Sequence, residues 1–517
     1  MALNWIGGDE ADHPMADPKQ ARAIIDALPA KDAVKMLEEV TDWLESLNQS
    51  DSFALDRRLQ GVELLDAAAR RQQRELTKEY LSTPRVQKFQ ENRLWNAEYG
   101  FCTQLGEAYF RCIKECLSGF SGASAIRDSL PVITARAFRA LGLQLKWILL
   151  RYGLVEDRIW TEVAQLYRLA EQKQILGAPV AIYPGPGGES SVKREFLKAL
   201  MLSASSTDGL PPARQDLAER VIAHFAGAYQ LSASPEGCTH CFDLAAPKSP
   251  SRLHKNVEPS ATLLYFGAGE ALERLNLLSQ LAAARGAVPS DINLGGAYPH
   301  DVVVGVLKHL AQYWSDKAPA RGSERRPTAA RITVLPGANE IFNALNNPGA
   351  VSDDLDFSGN QSAESWIVEN ASEGGYGAII PSQKTDWVKV GTLIGMKGET
   401  SNYLGIGLIR RISRDAHKQR RVGIQVLTKA AIPVQVSKNI TMSSLNFDLT
   451  PEEAILLTAS PDAQGEIGVL LREGVFNGRD SFDLQFRDQH YLLMPSTIVE
   501  VGEDFDWAKF KIKHRGA

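Results

Sequence analysis

The chain has 517 residues, 44% hydrophobic and 23% charged, with a formal net charge of −5. This is the balance of a globular protein with real cores, and its length suits about two to four domains. An acidic balance argues against a nucleic-acid partner, because duplex-binding proteins need a broad basic face.

The opening stretch MALNWIGGDEADHP has neither a basic start nor an apolar core of leader type, so the chain reads as cytoplasmic. Asp17 and Pro18 then supply an N-cap and a first helical residue. In the next segment Val34, Met36, Leu37, Val40, Trp43, Leu44 and Leu47 recur at the spacing of one buried helix face. Long amphipathic segments over 53–83, 86–119, 124–152 and 156–174 are rich in Ala, Leu, Glu, Arg and Gln, which favour helix. The most membrane-like of them, 141–155, is interrupted by Gln144, Lys146 and Arg151 and is too short and charged to span a bilayer. A bundle or a stack of helical hairpins is expected, and no fixed-period repeat is visible.

The helices pause at LGAPVAIYPGPGG (176–188), which lacks the GK[ST] ending of a phosphate loop and reads as a turn into a helix capped by Ser190 or Ser191. Two helices split by DGLPP (208–212) follow, and the GAG at 267–269 reads as a turn or cap. The five cysteines are sparse, as in a reducing compartment. Cys112 and Cys116 fit one packed helix face. Cys238, His240, Cys241 and His254 offer an irregular zinc set, with free thiols the preferred reading. DVVVGVLKHLAQYW (301–314) is a strong amphipathic helix, ending in a Pro-, Ala-, Gly- and Ser-rich linker.

From 331 the period changes to two. RITVLP, ESWIVEN, YGAIIP, VKVGTLIGMK, YLGIGLIRRIS and RRVGIQVL make six candidate strands, the pattern of a small antiparallel barrel, and β character continues past 430. The fold class is therefore multidomain α + β. A helical N-terminal bundle fills 1–314, any division falling near 176–188 or 230–260, and an Arg-rich linker fills 315–330. A β-barrel follows over 331–437, then a short C-terminal β-rich module over 438–517.

Two short segments carry the chemistry. RGSERRPTAAR (321–331) sets Arg321, Arg325, Arg326 and Arg331 against one Glu324 in an otherwise acidic chain. ENASEGGYG (369–377) sets Asn370 and Ser372 ahead of Gly374 and Gly375, between two strands. Guanidinium groups fork onto phosphate or onto guanine N7 and O6, and also stack on bases. Asn370 and Ser372 offer hydrogen bonds to a guanine edge, while Gly374 and Gly375 allow positive φ and close approach of a flat base. Each segment alone also reads blandly, as a solvated linker and a hairpin turn. A second basic cluster, RRISRDAHKQRR (410–421), reads either as a solvated hairpin tip or as an anion contact.

In order and in strand context, the two segments resemble the RxxxR and [D/N]xSxxG signatures of PilZ domains, small barrels that bind cyclic di-GMP. The resemblance covers about 320–435, and the long helical region ahead of it is similar to that of proteobacterial PilZ-containing proteins. It implies a ligand, cyclic di-GMP, taken singly or as an intercalated pair, and no cofactor, metal or catalysis. The arginines would wrap the ligand, with Asn370, Ser372, Gly374 and Gly375 beneath it. It also implies a protein partner on the helical domain, and no membrane span. Arg321 and Arg325 keep the RxxxR spacing, whereas proximity to the first strand favours Arg325, Arg326 and Arg331. The alternative is a constitutive interaction scaffold with a degenerate barrel.

Overall fold

The computed structural model describes residues 13–515, apart from 52–53, 84–86, 186–188, 254–259, 288, 290–291, 293, 297, 318–325, 347–362, 382–386, 415–418, 440–450 and 488. The chain divides into two compact units: residues 1–207 with 212–320, and 208–211 with 321–517.

The first unit is mainly helical: α1 (Pro18–Ala27), α2 (Ala33–Gln49), α3 (Leu55–Ser82), α4 (Lys88–Leu117), α5 (Ala123–Ile126), α6 (Leu130–Leu150) and α7 (Asp157–Gln172). Asp17 caps α1, its carboxylate accepting from Lys19 N at 3.1 Å, and Pro18 takes the first helical position. Leu37, Val40, Leu44 and Leu47 of α2 are fully buried, each burial contributing about 2 kcal/mol. The polar residues that rule out a membrane span in α6 are partnered inside the fold. Lys146 meets Asp216 at 2.5 Å and Glu219 at 3.2 Å, Gln144 donates to Cys102 O at 3.1 Å, and Arg151 forks onto Glu91. Among the described residues, no helix is long and apolar enough to cross a membrane.

A two-stranded hairpin, β1 (Pro179–Ala181) and β2 (Glu189–Ser191), leads into α8 (Val192–Ala204), whose cap is Ser191. Next comes α9 (Pro212–His224). This stretch, placed by the sequence in the helical domain, forms a small antiparallel sheet, order β3-β6-β4-β5, made of β3 (Gln230–Ser232), β4 (His240–Asp243), β5 (Ser251–Arg252) and β6 (Leu263–Gly267). Its strands are two to five residues long, too short for a periodic signal. Gly269 (φ +53°) starts α10 (Glu270–Arg285), and α11 (His300–Trp314) closes the unit. His240 stacks on Phe266, Cys241 Sγ lies 3.4 Å from Ser251 Oγ, and His254 is outside the described residues.

The second unit holds two closed six-stranded antiparallel barrels. The first uses β7 (Arg326–Pro336), β8 (Glu364–Ser372), β9 (Gly375–Ile380), β10 (Leu393–Gly398), β11 (Gly405–Arg414) and β12 (Arg420–Thr428), in the order β10-β11-β12-β9-β8-β7. The helix α12 (Gly337–Asn346) follows β7 directly. β7 begins inside the stretch read as linker. A bulge between Pro327 and Ala330 lets the proline sit in a paired strand without a ladder donor.

The C-terminal module is a complete second barrel: β13 (Ile432–Asn439), β14 (Glu452–Leu456), β15 (Glu466–Arg472), β16 (Ser481–Phe486), β17 (Gln489–Val501) and β18 (Phe505–Arg515). β13 straddles the expected boundary at 437 and pairs with β14 and β16, because its Val436 fills this second core. The barrels pack side by side through α12. Ile341 and Phe342 meet Leu393, Ile406 and Leu408 of the first barrel and Ile455, Leu470 and Phe505 of the second. Asp504 fixes the start of α12 by accepting from Ala338 N at 2.6 Å. Gly337 there has φ +76°, and a Cβ on it would lie 2.7 Å from the Asp504 carboxylate.

Candidate functional site on the first barrel

Directly paired residues of neighbouring strands point to the same face of a sheet. Registers in the first barrel therefore sort its side chains without ambiguity. Val368, Ala378 and Val422 are paired in sequence and buried, so they define the inside. The adjacent row, on the outside, runs Asn370, Gly377, Gly423, Arg411 across β8, β9, β12 and β11. To one side lies the row Arg331, Ile367, Ile379, Arg421, Ser413. To the other lie Ser372, Gly375 and Gln425.

The middle of this outer face has no side chains at Gly377 and Gly423. A Cβ on Gly377 would sit 2.5 Å from Asn370 Oδ1, and one on Gly423 would touch the Arg411 stem at 3.4 Å. Two glycines side by side on adjacent strands leave a low backbone floor, over which the Asn370 amide lies at Gly377 and which the Arg411 stem borders at Gly423. Such a floor admits the face of a planar ring.

The polar groups around the floor are unevenly satisfied. Asn370 Oδ1 is buried and has no hydrogen-bond partner among the described residues, an arrangement that costs about 1–3 kcal/mol. Ser372 Oγ donates to Gly375 O at 3.2 Å, closing the turn between β8 and β9. Arg421 reaches Glu369 at 3.2 Å. Arg410, the extra residue of a bulge in β11, donates from Nε to Gln425 Oε1 at 2.7 Å. Arg331 is exposed on the outer face, opposite Ile367, which is itself 37% exposed.

Of the residues singled out from the sequence, Asn370, Ser372, Gly375 and Arg331 meet on this face. Arg326 opens β7 opposite Ala371, between the positions of Asn370 and Ser372 but with the alternate facing. Arg321 and Arg325 lie outside the described residues. The two glycines expected to use positive φ do not. Gly374 is an ordinary turn residue with open space around it, and Gly375 is required because a Cβ would come within 2.4 Å of Ile424 O on β12. Gly377 and Gly423 are additions. The signal for the first is Gly375-x-Gly377 with the period of a strand face. Nothing local marks Gly423, because its partnership with Gly377 depends on β12 lying beside β9.

Residues 19–236, within the helical unit, match the family model described as cyclic-di-GMP receptor FimW, N-terminal domain. No curated protein matches the chain.

Proposed function

We propose that this chain is a cyclic di-GMP receptor of the FimW type, whose ligand sits on the outer face of the first barrel. The observation that carries the reading is the glycine floor of Gly377 and Gly423, with the unsatisfied Asn370 Oδ1 over it and arginines at its rim. Cyclic di-GMP presents flat guanines, edges with donors and acceptors, and two phosphates. A guanine laid on the floor offers its edge to Asn370 and Ser372, while Arg331 and Arg421 flank it with donors for phosphate or N7 and O6. The match of the helical region to a receptor family supports the same ligand class from a part of the chain that contributes nothing to the barrel.

The remaining arginines, Arg321, Arg325 and Arg326, lie on the segment that enters the barrel from the helical unit. When they close over the ligand they restrain that connection, and the consequence is a changed surface for a protein partner. Binding rather than turnover is the activity.

Titration calorimetry of the full chain with cyclic di-GMP tests the proposal. Saturable micromolar or tighter binding is expected, lost in the Arg325→Ala/Arg326→Ala variant with its melting temperature unchanged. Absence of heat up to high ligand concentration, or unaltered affinity in that variant, overturns it and leaves a scaffold with a ligand-free barrel.

A further inference from the structure

The helical unit contains a polar cavity of about 380 Å³ that takes no part in the barrel site. Its wall brings Arg70 of α3, Arg139 of α6, and Arg194 and Lys198 of α8 around Tyr183, which follows β1, and Ser190 of β2. Two carboxylates, Glu189 and Glu195, also line it. Glu195 is already engaged, by Lys198 Nζ at 2.6 Å and by Ser190 Oγ at 2.5 Å.

Two of the arginines are held by an aromatic ring and not by an acceptor. Arg70 lies over the Tyr183 ring at 3.8 Å and Arg139 at 5.5 Å. Among the described residues neither guanidinium has a hydrogen-bond acceptor or an ion-pair partner. The neighbouring Arg136 shows the contrast: it donates to Glu63 at 2.7 Å and to Ile182 O at 2.9 Å. Tyr183 offers them its ring face, while its hydroxyl donates to Asp66 at 3.0 Å. A guanidinium resting on an aromatic face keeps its in-plane N–H donors available. Glu195, Glu219 and Asp66 favour the charge on Arg139 from a distance, but none of them accepts a hydrogen bond from it, so both forks face the shared cavity.

We propose that this cavity binds a small phosphate-bearing anion, held between the guanidinium groups of Arg70 and Arg139, with Arg194 at its mouth. A phosphate group has oxygens enough to accept from two separate forks, which a lone carboxylate does less well. The volume is at the low end for a small-molecule site, which suits a phosphomonoester or diphosphate group and not an intercalated pair of dinucleotides. The proposal is independent of the barrel site and needs no ligand there.

The test is calorimetric titration of the full chain, at low ionic strength, with inorganic phosphate and with pyrophosphate. One saturable site per chain is expected for at least one probe. Arg139→Gln should weaken it by about tenfold or more, and Arg139→Lys, which keeps the charge but lacks the fork, should fall between. Arg331→Gln on the barrel should leave it unchanged, and cyclic di-GMP affinity should be unaffected by Arg139→Gln. Should Arg139→Gln fail to fold, Arg70→Gln, at a partly exposed position, reads the same loss. Heats of dilution alone for both probes overturn the proposal, as does phosphate binding that survives both Arg70→Gln and Arg139→Gln or is lost in Arg331→Gln.

Discussion

Arg410 and Glu500 form a two-pronged ion pair between the barrels, with Nη1 and Nη2 of the arginine 2.8 and 2.7 Å from the two carboxylate oxygens. Arg410 is the extra residue of a bulge in β11, between Ile409 and Arg411, and Glu500 directly follows a bulge at Val499 in β17. The same guanidinium holds Gln425, the outer-face partner of Gly375. A chain of contacts therefore runs from the second barrel to the edge of the glycine floor. The pair is partly solvated, so its net worth is small. In a urea-denaturation double-mutant cycle, Arg410→Gln and Glu500→Gln should couple by about 1 kcal/mol, less in high salt. Zero coupling at low ionic strength shows the contact to be incidental.

The two glycines of the β8–β9 turn should respond differently to a methyl group. Gly374 faces open space, whereas a Cβ on Gly375 meets the Ile424 carbonyl, a backbone atom that cannot turn aside. Gly375→Ala should lose about 1–3 kcal/mol of stability by denaturant titration, and Gly374→Ala much less. Equal losses contradict the close strand approach.

Much of this arrangement is legible in the sequence. Alternation at Ile332, Val334, Trp366 and Val368 announces strands, and those residues are buried in the first barrel. Asn370 and Ser372 are found by motif. What escapes is pairing between strands far apart in the chain. Gly423 joins Gly377 only because β12, not β10, lies beside β9, and no local pattern records that choice. The second barrel escapes for a similar reason, since closure of β13 onto β16 is a long-range event. Arg326 is misread as linker because proline argues against a strand, and the bulge that accommodates it is a tertiary detail.

Glu98 gives the helical unit a pH dependence. It is 1% exposed, accepts from Gln73 Nε2 at 2.7 Å, and burial pushes its pKa up to about 7. The folded state thus holds this proton more tightly than the unfolded chain, where a glutamate titrates near about 4.3. Its contribution is present in full below that pH and is lost as pH rises to about 7. Glu98→Gln, which keeps a neutral acceptor for Gln73, should flatten the stability profile in that window. It should also stabilise the protein by about 2–3 kcal/mol at pH 8. Thermal or urea unfolding across pH measures this, and a slope unchanged by the substitution excludes Glu98 as its source.

Lys146 and Asp216 pose the opposite case, a buried pair whose members need each other. Asp216 is 1% exposed and Lys146 8%, and Glu219 together with Asp216 holds the ammonium well above its usual range despite burial. Removing Lys146 leaves Asp216 to Arg220 alone, at 2.8 Å, and takes from Glu219 its contact at 3.2 Å. Lys146→Met should cost about 3–5 kcal/mol, and Lys146→Met with Asp216→Asn less than the sum of the two single changes. Strict additivity in denaturant titrations argues against the pair as the source of the loss.

Asn370 separates folding from binding most cleanly. Its Oδ1 is buried and unsatisfied, so the side chain is a burden on the unliganded barrel, while the proposed role gives that oxygen a guanine edge to accept from. Asn370→Ala removes the orphaned oxygen. Stability should therefore hold or rise by up to about 1 kcal/mol, while cyclic di-GMP affinity falls about tenfold or more. A residue kept for structure alone moves both quantities in the same direction, and calorimetry on a variant of verified melting temperature distinguishes the two. Asn370→Asp refines the point. The carboxylate keeps an acceptor but loses the amide donor and adds a negative charge between Arg331 and Arg411, so it should bind better than the alanine variant if the guanine donates to this oxygen. If instead the amide donates to guanine O6 or N7, the aspartate variant should bind no better than alanine.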